Sequence, residues 1–388
     1  MFKQIEPQNY PAIKAFVNIY DYNVCVNSIL DGNTKGLVFA DDAQSPTIAL
    51  VFEFPNVLYL IGKLNSIDDF NNNFKKILNE TFVPICENED EDFMLVAFID
   101  KRYWKEYTDK IIEEHYLQSG NRWQGEFDKE YYQKFKSKFP KTLPEGYALC
   151  KINKEIIESD ENKELKENIL TTWISIDTFL EKGFGFCILK GSKVICFIIS
   201  YNFSDNLYYE ITIETLDEQE RKKGFATHCT IAYIDYCLEN NFLPHWMTDF
   251  DNEASQNLAT KIAFPKHRNT LQCSFIFNRA DNYLDNTLIY FDSEELDLDL
   301  INISINKAFE DRNIKPKLKY LYRVAYRLTE NGITDKVFFL LDELFKSDLK
   351  YLDHVKKVTV FKPLFDTSEW KDLMLKFEEN PLTNHLMT

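Results

Sequence analysis

A strand, a basic turn and a helix follow one another between residues 207 and 240, and their residue types suit the holding of an anion. The segment LYYEITIETL alternates, placing Tyr209, Ile211 and Ile213 on one face and Glu210, Thr212 and Glu214 on the other. A strand covered on both faces is apolar on both, so the polar face marks either an edge strand or a strand lining a pocket. Arg221, Lys222, Lys223, Gly224, Phe225 and Ala226 come next. Gly224 and Ala226 let the backbone approach a ligand closely, and such a turn aims free N–H groups at it. The helix beginning near Ala226 adds its positive end, with Thr227 as a further donor. This is the construction of a pyrophosphate cradle; the competing reading is a strand-to-helix turn with solvated lysines.

The elements around this segment alternate in the manner of an α/β protein. Upstream, Leu165, Ile169, Trp173, Ile176 and Leu180 form one helical stripe, followed by strands at 184–190 and 193–201. Downstream, a helix at 225–240, a strand at 245–249, a helix at 253–263 and a strand at 272–278 complete the unit. The first 145 residues repeat the alternation: strands at 34–42, 47–64 and 93–100, a helix at 70–82 and another at 101–116. The acidic run at 87–92 reads as a solvated loop. Residues 285–300 carry six acids and no Lys or Arg, and read as a surface crossing before a helical tail. Three regions result: 1–145, 146–284 and 285–388.

Composition narrows the partners. The chain has 388 residues, with 45 Lys and Arg against 62 Asp and Glu, a net charge of −17. Binding a polyanion needs clustered cations, so nucleic acid is excluded as a partner, and a cationic or neutral ligand is favoured. The start has no apolar signal region, and no apolar run is long enough to span a membrane. The eight cysteines never form CxxC, which fits reduced thiols in the cytoplasm. The six histidines form no HxxxH pair, so no metal is expected.

Beyond these physical readings, Arg221, Gly224 and Ala226 match the R/Q-x-x-G-x-G/A motif of the GNAT acetyltransferases, which this segment resembles. Asn252, Ser255, Leu258, Lys261 and Phe264 match that superfamily's next motif, with Ala263 in place of its glycine. Residues 172–197 and 244–255 are similar to a narrower group, the zwittermicin A resistance-type GNAT proteins. The motif matches cover about 165–278. The resemblance implies a mixed GNAT sheet flanked by helices at 146–284. A GNAT-like companion domain without a coenzyme motif of its own would precede it, and an all-α helical-hairpin tail would follow.

The resemblance also implies an acyltransferase that moves an acetyl group from acetyl-CoA to an amine by direct attack in a ternary complex. Backbone N–H groups from 221–227 would hold the pyrophosphate, and the backbone at Thr212, Ile213 and Glu214 would pair with the pantetheine arm. Glu210 is the first choice for general base and Glu214 the second, since a protonated amine must lose its proton before attack. Asn252, with Ser255 in its motif, would either contact the coenzyme arm or cap the helix 253–263. The tyrosine that serves many GNAT enzymes as general acid is Ala259 here, which leaves that role unassigned. Cys229, Cys237 and Trp173 read as core, and His245 as structural. The acceptor would be a small amine, antibiotic-like, amino-sugar or amino-acid-derived. Two other readings stay open: a non-catalytic CoA-binding module, and an enzyme directed at a protein docked on the tail. The tail's final segment, 351–374, is similar to the terminal helix pair of tetratricopeptide-like repeats, and Lys317 and Lys350 stand 33 residues apart.

Overall fold

A computed structural model describes all residues except 1, 21–22, 65, 105–106, 112–117, 140–141, 205–207, 294 and 379–388. The chain divides into two compact units, one of residues 1–112 and 119–274, the other of 113–118 and 275–388.

The first unit is built on a twelve-stranded mixed sheet. In chain order its strands are β1 (Lys3–Gln4), β2 (Gly36–Ala40), β3 (Ile48–Glu53), β4 (Val57–Gly62), β5 (Phe93–Phe98) and β6 (Gln118–Glu126). They continue as β7 (Tyr147–Lys151), β8 (Gly185–Lys190), β9 (Lys193–Phe203), β10 (Tyr208–Thr215), β11 (Leu243–Asp249) and β12 (Lys266–Ile276). Across the sheet the order is β1-β2-β3-β4-β5-β12-β6-β11-β10-β9-β8-β7. Both α/β regions expected from the sequence thus contribute strands to one sheet. Strands β3 and β9 are buried along most of their length because both faces are covered. On one face, the helix Phe225–Glu239 packs Phe225, Cys229, Tyr233 and Cys237 into a core with Phe184, Ile198, Tyr209, Trp246 and Phe264. Cys229 and Cys237 are therefore core residues.

Several expected elements differ. The stripe from Leu165 to Leu180 is two helices, Lys163–Thr172 and Ile176–Lys182, separated by an extended Trp173. Burial of the indole accounts for the break: Trp173 is fully buried and its Nε1–H donates to the Ser200 carbonyl at 2.7 Å. Ser175 then caps the second helix by accepting from the Thr178 amide. The expected helix at 101–116 is represented by two short 3-10 turns, Lys101–Tyr103 and Thr108–Lys110, and residues 105–106 and 112–117 lie outside the described residues. The polar segment Gln118–Glu126, unassigned from the sequence, is strand β6 between β12 and β11.

The second unit is helical from Arg279 onward, so the surface crossing expected at 285–300 is mostly helix. Asn278 caps the helix Arg279–Phe291, which buries Leu284, Leu288 and Phe291 at helical spacing. Asp297 caps the next, Leu298–Ala308, through the amides of Asp299 and Leu300. Acidic side chains were serving as caps and as an outer face, which composition alone does not reveal. Helices Leu318–Glu330 and Val337–Ser347 pack together, the first also against Arg279–Phe291, and Ser368–Glu378 packs against the second.

Candidate active site

Strands β10 and β11 run parallel but pair only at Tyr208–Leu243, Tyr209–Pro244 and Glu210–His245. Past that point β10 continues with β9 from Ile211 to Thr215, while β11 pairs with β6 from Trp246 to Asp249. The two strands part like the arms of a V. Between the arms lies a cleft of about 620 Å³. The edge of β10 that faces it offers backbone donors and acceptors to an extended chain carrying amides.

The cleft gathers most of the residues singled out in the sequence. Thr212, Ile213 and Glu214 line it from β10, and Arg221, Lys222, Gly224, Phe225, Ala226 and Thr227 line it from the turn and helix start. Asn252 and Ser255 close it from the helix Glu253–Ile262, and Trp246, Met247 and Thr248 from β11. Gly224 immediately precedes the helix with φ +85°, a left-handed conformation that glycine adopts freely. A Cβ there would meet no atom within 4 Å, so the space in front of the turn is open. The first amides of the helix have no intrahelical acceptor and, with the helix dipole, favour an anion. Asn252 caps its helix by accepting from the Ser255 amide at 3.1 Å, while the Ser255 hydroxyl accepts from Trp246 Nε1 at 3.0 Å.

Lys223 departs from the expected set, because it does not line the cleft. Its ammonium sits 2.7 Å from Glu220, which also receives Lys190 at 3.0 Å and the Tyr147 hydroxyl at 2.8 Å. These donors, Lys223 foremost, lower the Glu220 carboxyl to about 2. The cluster of three cations therefore divides: Lys223 braces the turn, and Arg221 and Lys222 face the ligand space. Among the described residues, Arg221 holds only an exposed contact to Glu218 at 3.4 Å, which is weak enough to exchange for a phosphate.

The two candidate bases occupy different settings. Glu214 is half-buried in the cleft wall, with Asn168 Nδ2 donating at 3.5 Å, and burial pushes its carboxyl up. Glu210 sits at the vertex of the V but lines no part of the cleft. A break in the β9–β10 register between Tyr209 and Ile211 re-aims it into the interior. There it is 4% exposed and accepts from the Cys25 thiol at 2.7 Å and from Asn202 Nδ2 at 3.4 Å. The same Asn202 donates to Glu53 at 2.8 Å, and the Tyr59 hydroxyl donates to Glu53 at 2.7 Å. Burial, then the neighbouring Glu210 charge, raises Glu53 to about 7. Glu53 thus still holds a proton close to neutral pH.

Glu53 and Cys25 were absent from the sequence-derived candidates. A signal existed for Glu53: it is the one charged residue in the otherwise apolar run IALVFE. His245, expected to be structural, lines a second cavity of about 250 Å³ together with Tyr59, Arg122 and Arg268. Ala259, at the usual general-acid position, is fully buried. Among the described residues, no group of three or more His, Cys, Asp or Glu is arranged to hold a metal ion.

A V-shaped opening between two parallel strands, facing a basic glycine turn at a helix start, defines an acyltransferase of the GNAT fold. The family model for GNAT acetyltransferases matches residues 14–271, and the chain belongs to that family. Over 269 residues it is 27% identical to an uncharacterized N-acetyltransferase, YdfB, of Bacillus subtilis, covering 68% of this chain and 95% of that protein. It is also similar in fold to a GCN5-related N-acetyltransferase-like protein from Streptococcus suis. That structure superposes with a TM-score of 0.51 at 20% identity, covering 69% of this chain and 98% of the other. Among the described residues no helix is long and apolar enough to cross a membrane.

Proposed function

We propose that this N-acetyltransferase takes its acetyl group from acetyl-CoA and delivers it to the amine of a small acceptor. The parting of β10 from β11 beyond Glu210–His245, opposite the turn at 221–227, carries this reading. The donor set fits the coenzyme: helix-start amides with Arg221 and Lys222 suit a pyrophosphate, and the open edge of β10 suits the amide-bearing arm. Backbone N–H groups of the same strand would polarise the thioester carbonyl.

Transfer forms a C–N bond at the acceptor amine and breaks the C–S bond of the thioester. The amine proton goes to the buried Glu210 and Glu53 pair through water or the Tyr59 hydroxyl, and the departing thiolate takes up a proton from water. Glu210 remains the first choice for base because it sits where the arms separate, and Glu214 in the cleft wall is the second. The eight cysteines, with no CxxC among them, suit action in the cytoplasm. Within the family, residues 172–197 and 244–255 support placement in the zwittermicin A resistance-type subgroup. The packed helix pairs after Arg279 support a tetratricopeptide-like tail that could dock a protein.

The test is free-thiol release from acetyl-CoA with a library of amines, paired with calorimetry. Saturable CoA binding and amine-dependent thiol release are expected. Absence of CoA binding would overturn the proposal.

A further inference from the structure

The smaller cavity lies on the other side of Met247, a residue that lines both it and the coenzyme cleft. Most of its polar wall comes from four strands that are distant in sequence: Tyr59 from β4, Arg122 and Gln124 from β6, His245 from β11, and Arg268 and Gln272 from β12, with Asn23 and an Asp100 already paired to Arg102 adding to it. Three buried atoms of this wall have no hydrogen-bond partner among the described residues: Arg122 Nε, His245 Nδ1 and Gln272 Oε1. Buried polar atoms are nearly always paired, so three on one cavity wall point to a ligand that completes them.

The charges on them can be assigned. Arg268 Nε donates to Gln124 Oε1 at 3.0 Å, which turns the amide nitrogen of Gln124 toward His245 Nε2 at 2.7 Å. His245 Nε2 therefore accepts, its proton resides on Nδ1, and Nδ1–H is an unused donor. Burial lowers the His245 pKa, so the ring is neutral near pH 7. Arg122 is four-fifths buried; it feels the charge of Glu210 most strongly, and its one ion pair among the described residues is with an exposed Asp249 at 3.6 Å. A guanidinium this buried calls for an anion. On the opposite side, the Tyr59 hydroxyl connects the cavity to the buried Glu53 and Glu210 pair.

We propose that this cavity is the acceptor site and that it selects an amine carrying a carboxylate, an amino-acid-type acceptor. Arg122, Arg268 and His245 Nδ1–H take the carboxylate, and the amine turns toward Tyr59 and the acidic pair. The assignment rests on the acetyl-transfer reading above. An acceptor with an amine alone would leave the guanidinium and the imidazole N–H dry and unpaired, which is the stronger form of discrimination available to a binding site.

The experiment measures kcat/KM with acetyl-CoA for a panel of L-amino acids, each against its own carboxamide, with CoA binding followed by calorimetry. A preference of about tenfold to a hundredfold for the acids is expected, the size of a lost charged hydrogen bond. Arg268→Gln and, separately, Arg122→Gln should shrink that ratio. The ratio does not depend on how much of a variant is folded. Turnover of amines with no preference for the carboxylate would overturn the inference and leave the acetyl-transfer reading standing. Loss of CoA binding in the wild-type protein would overturn both. A ratio unchanged in both arginine variants would also overturn the inference.

Discussion

Two cavities meet at Met247, and they are built in opposite ways. The larger takes most of its wall from residues 211–227, one continuous strand, turn and helix start. The smaller is assembled from β4, β5, β6, β11 and β12 with a loop near Asn23. Under the proposed reading, the coenzyme would be held by backbone amides and a glycine turn, which need little from the rest of the fold. The acceptor would be distinguished by side chains, and side chains from several strands converge only when the sheet is complete. Local construction would then serve the shared ligand, and distributed construction the selective one.

The variants that probe this contrast differ in expected size. Glu210→Gln should have the largest effect, a fall in turnover of about 10²–10⁴-fold, the usual worth of a general base. Its acetyl-CoA affinity, measured by calorimetry, should stay near wild type. Equal losses in both would erase the separation between vertex and cleft. Gly224→Glu should do the reverse by placing an anion at the helix start. CoA should then bind at least about tenfold more weakly. Unchanged affinity would show that the turn is not the cradle.

Glu53→Gln tests the buried pair through pH. The folded-state value of Glu53, about 7, lies above its ordinary 4.5, so the native chain holds the proton longer than the unfolded chain does. Its contribution is therefore fully present below about 4.5 and is lost as pH rises toward 7. Denaturant melts at pH 5 and pH 8 should show the wild type losing stability across that interval. The variant should lose less; an identical loss would count against the pair. The smallest contrast lies within the basic cluster. Lys222→Ala should weaken CoA binding several-fold, about the worth of one partly exposed charge. Lys223→Ala should leave CoA affinity within about twofold and instead lower thermal stability, since it braces the turn through Glu220.

How far the fold was legible follows the same line. Strands β3, β4, β8, β9 and β10 and the helix Phe225–Glu239 could be read because periodicity is local. Strand β6 could not, because QSGNRWQGE lacks alternation and is held by partners on both sides. The helix Arg279–Phe291 was hidden by counting acids where the spacing of Leu284, Leu288 and Phe291 mattered. In the candidate site, the residues of the turn at 221–227 and Glu210 could be picked out from the sequence. Glu53, Cys25, Asn202 and Arg122 were not, since nothing in their own segments announces that they meet.

A crystal structure with bound CoA tests the central claim most directly. The account predicts the pyrophosphate against the amides of 222–227, with Lys222 or Arg221 beside it, and the pantetheine arm along Thr212 to Glu214 between the separated strands. Coenzyme bound elsewhere, with the cleft between β10 and β11 filled only by solvent, would contradict it.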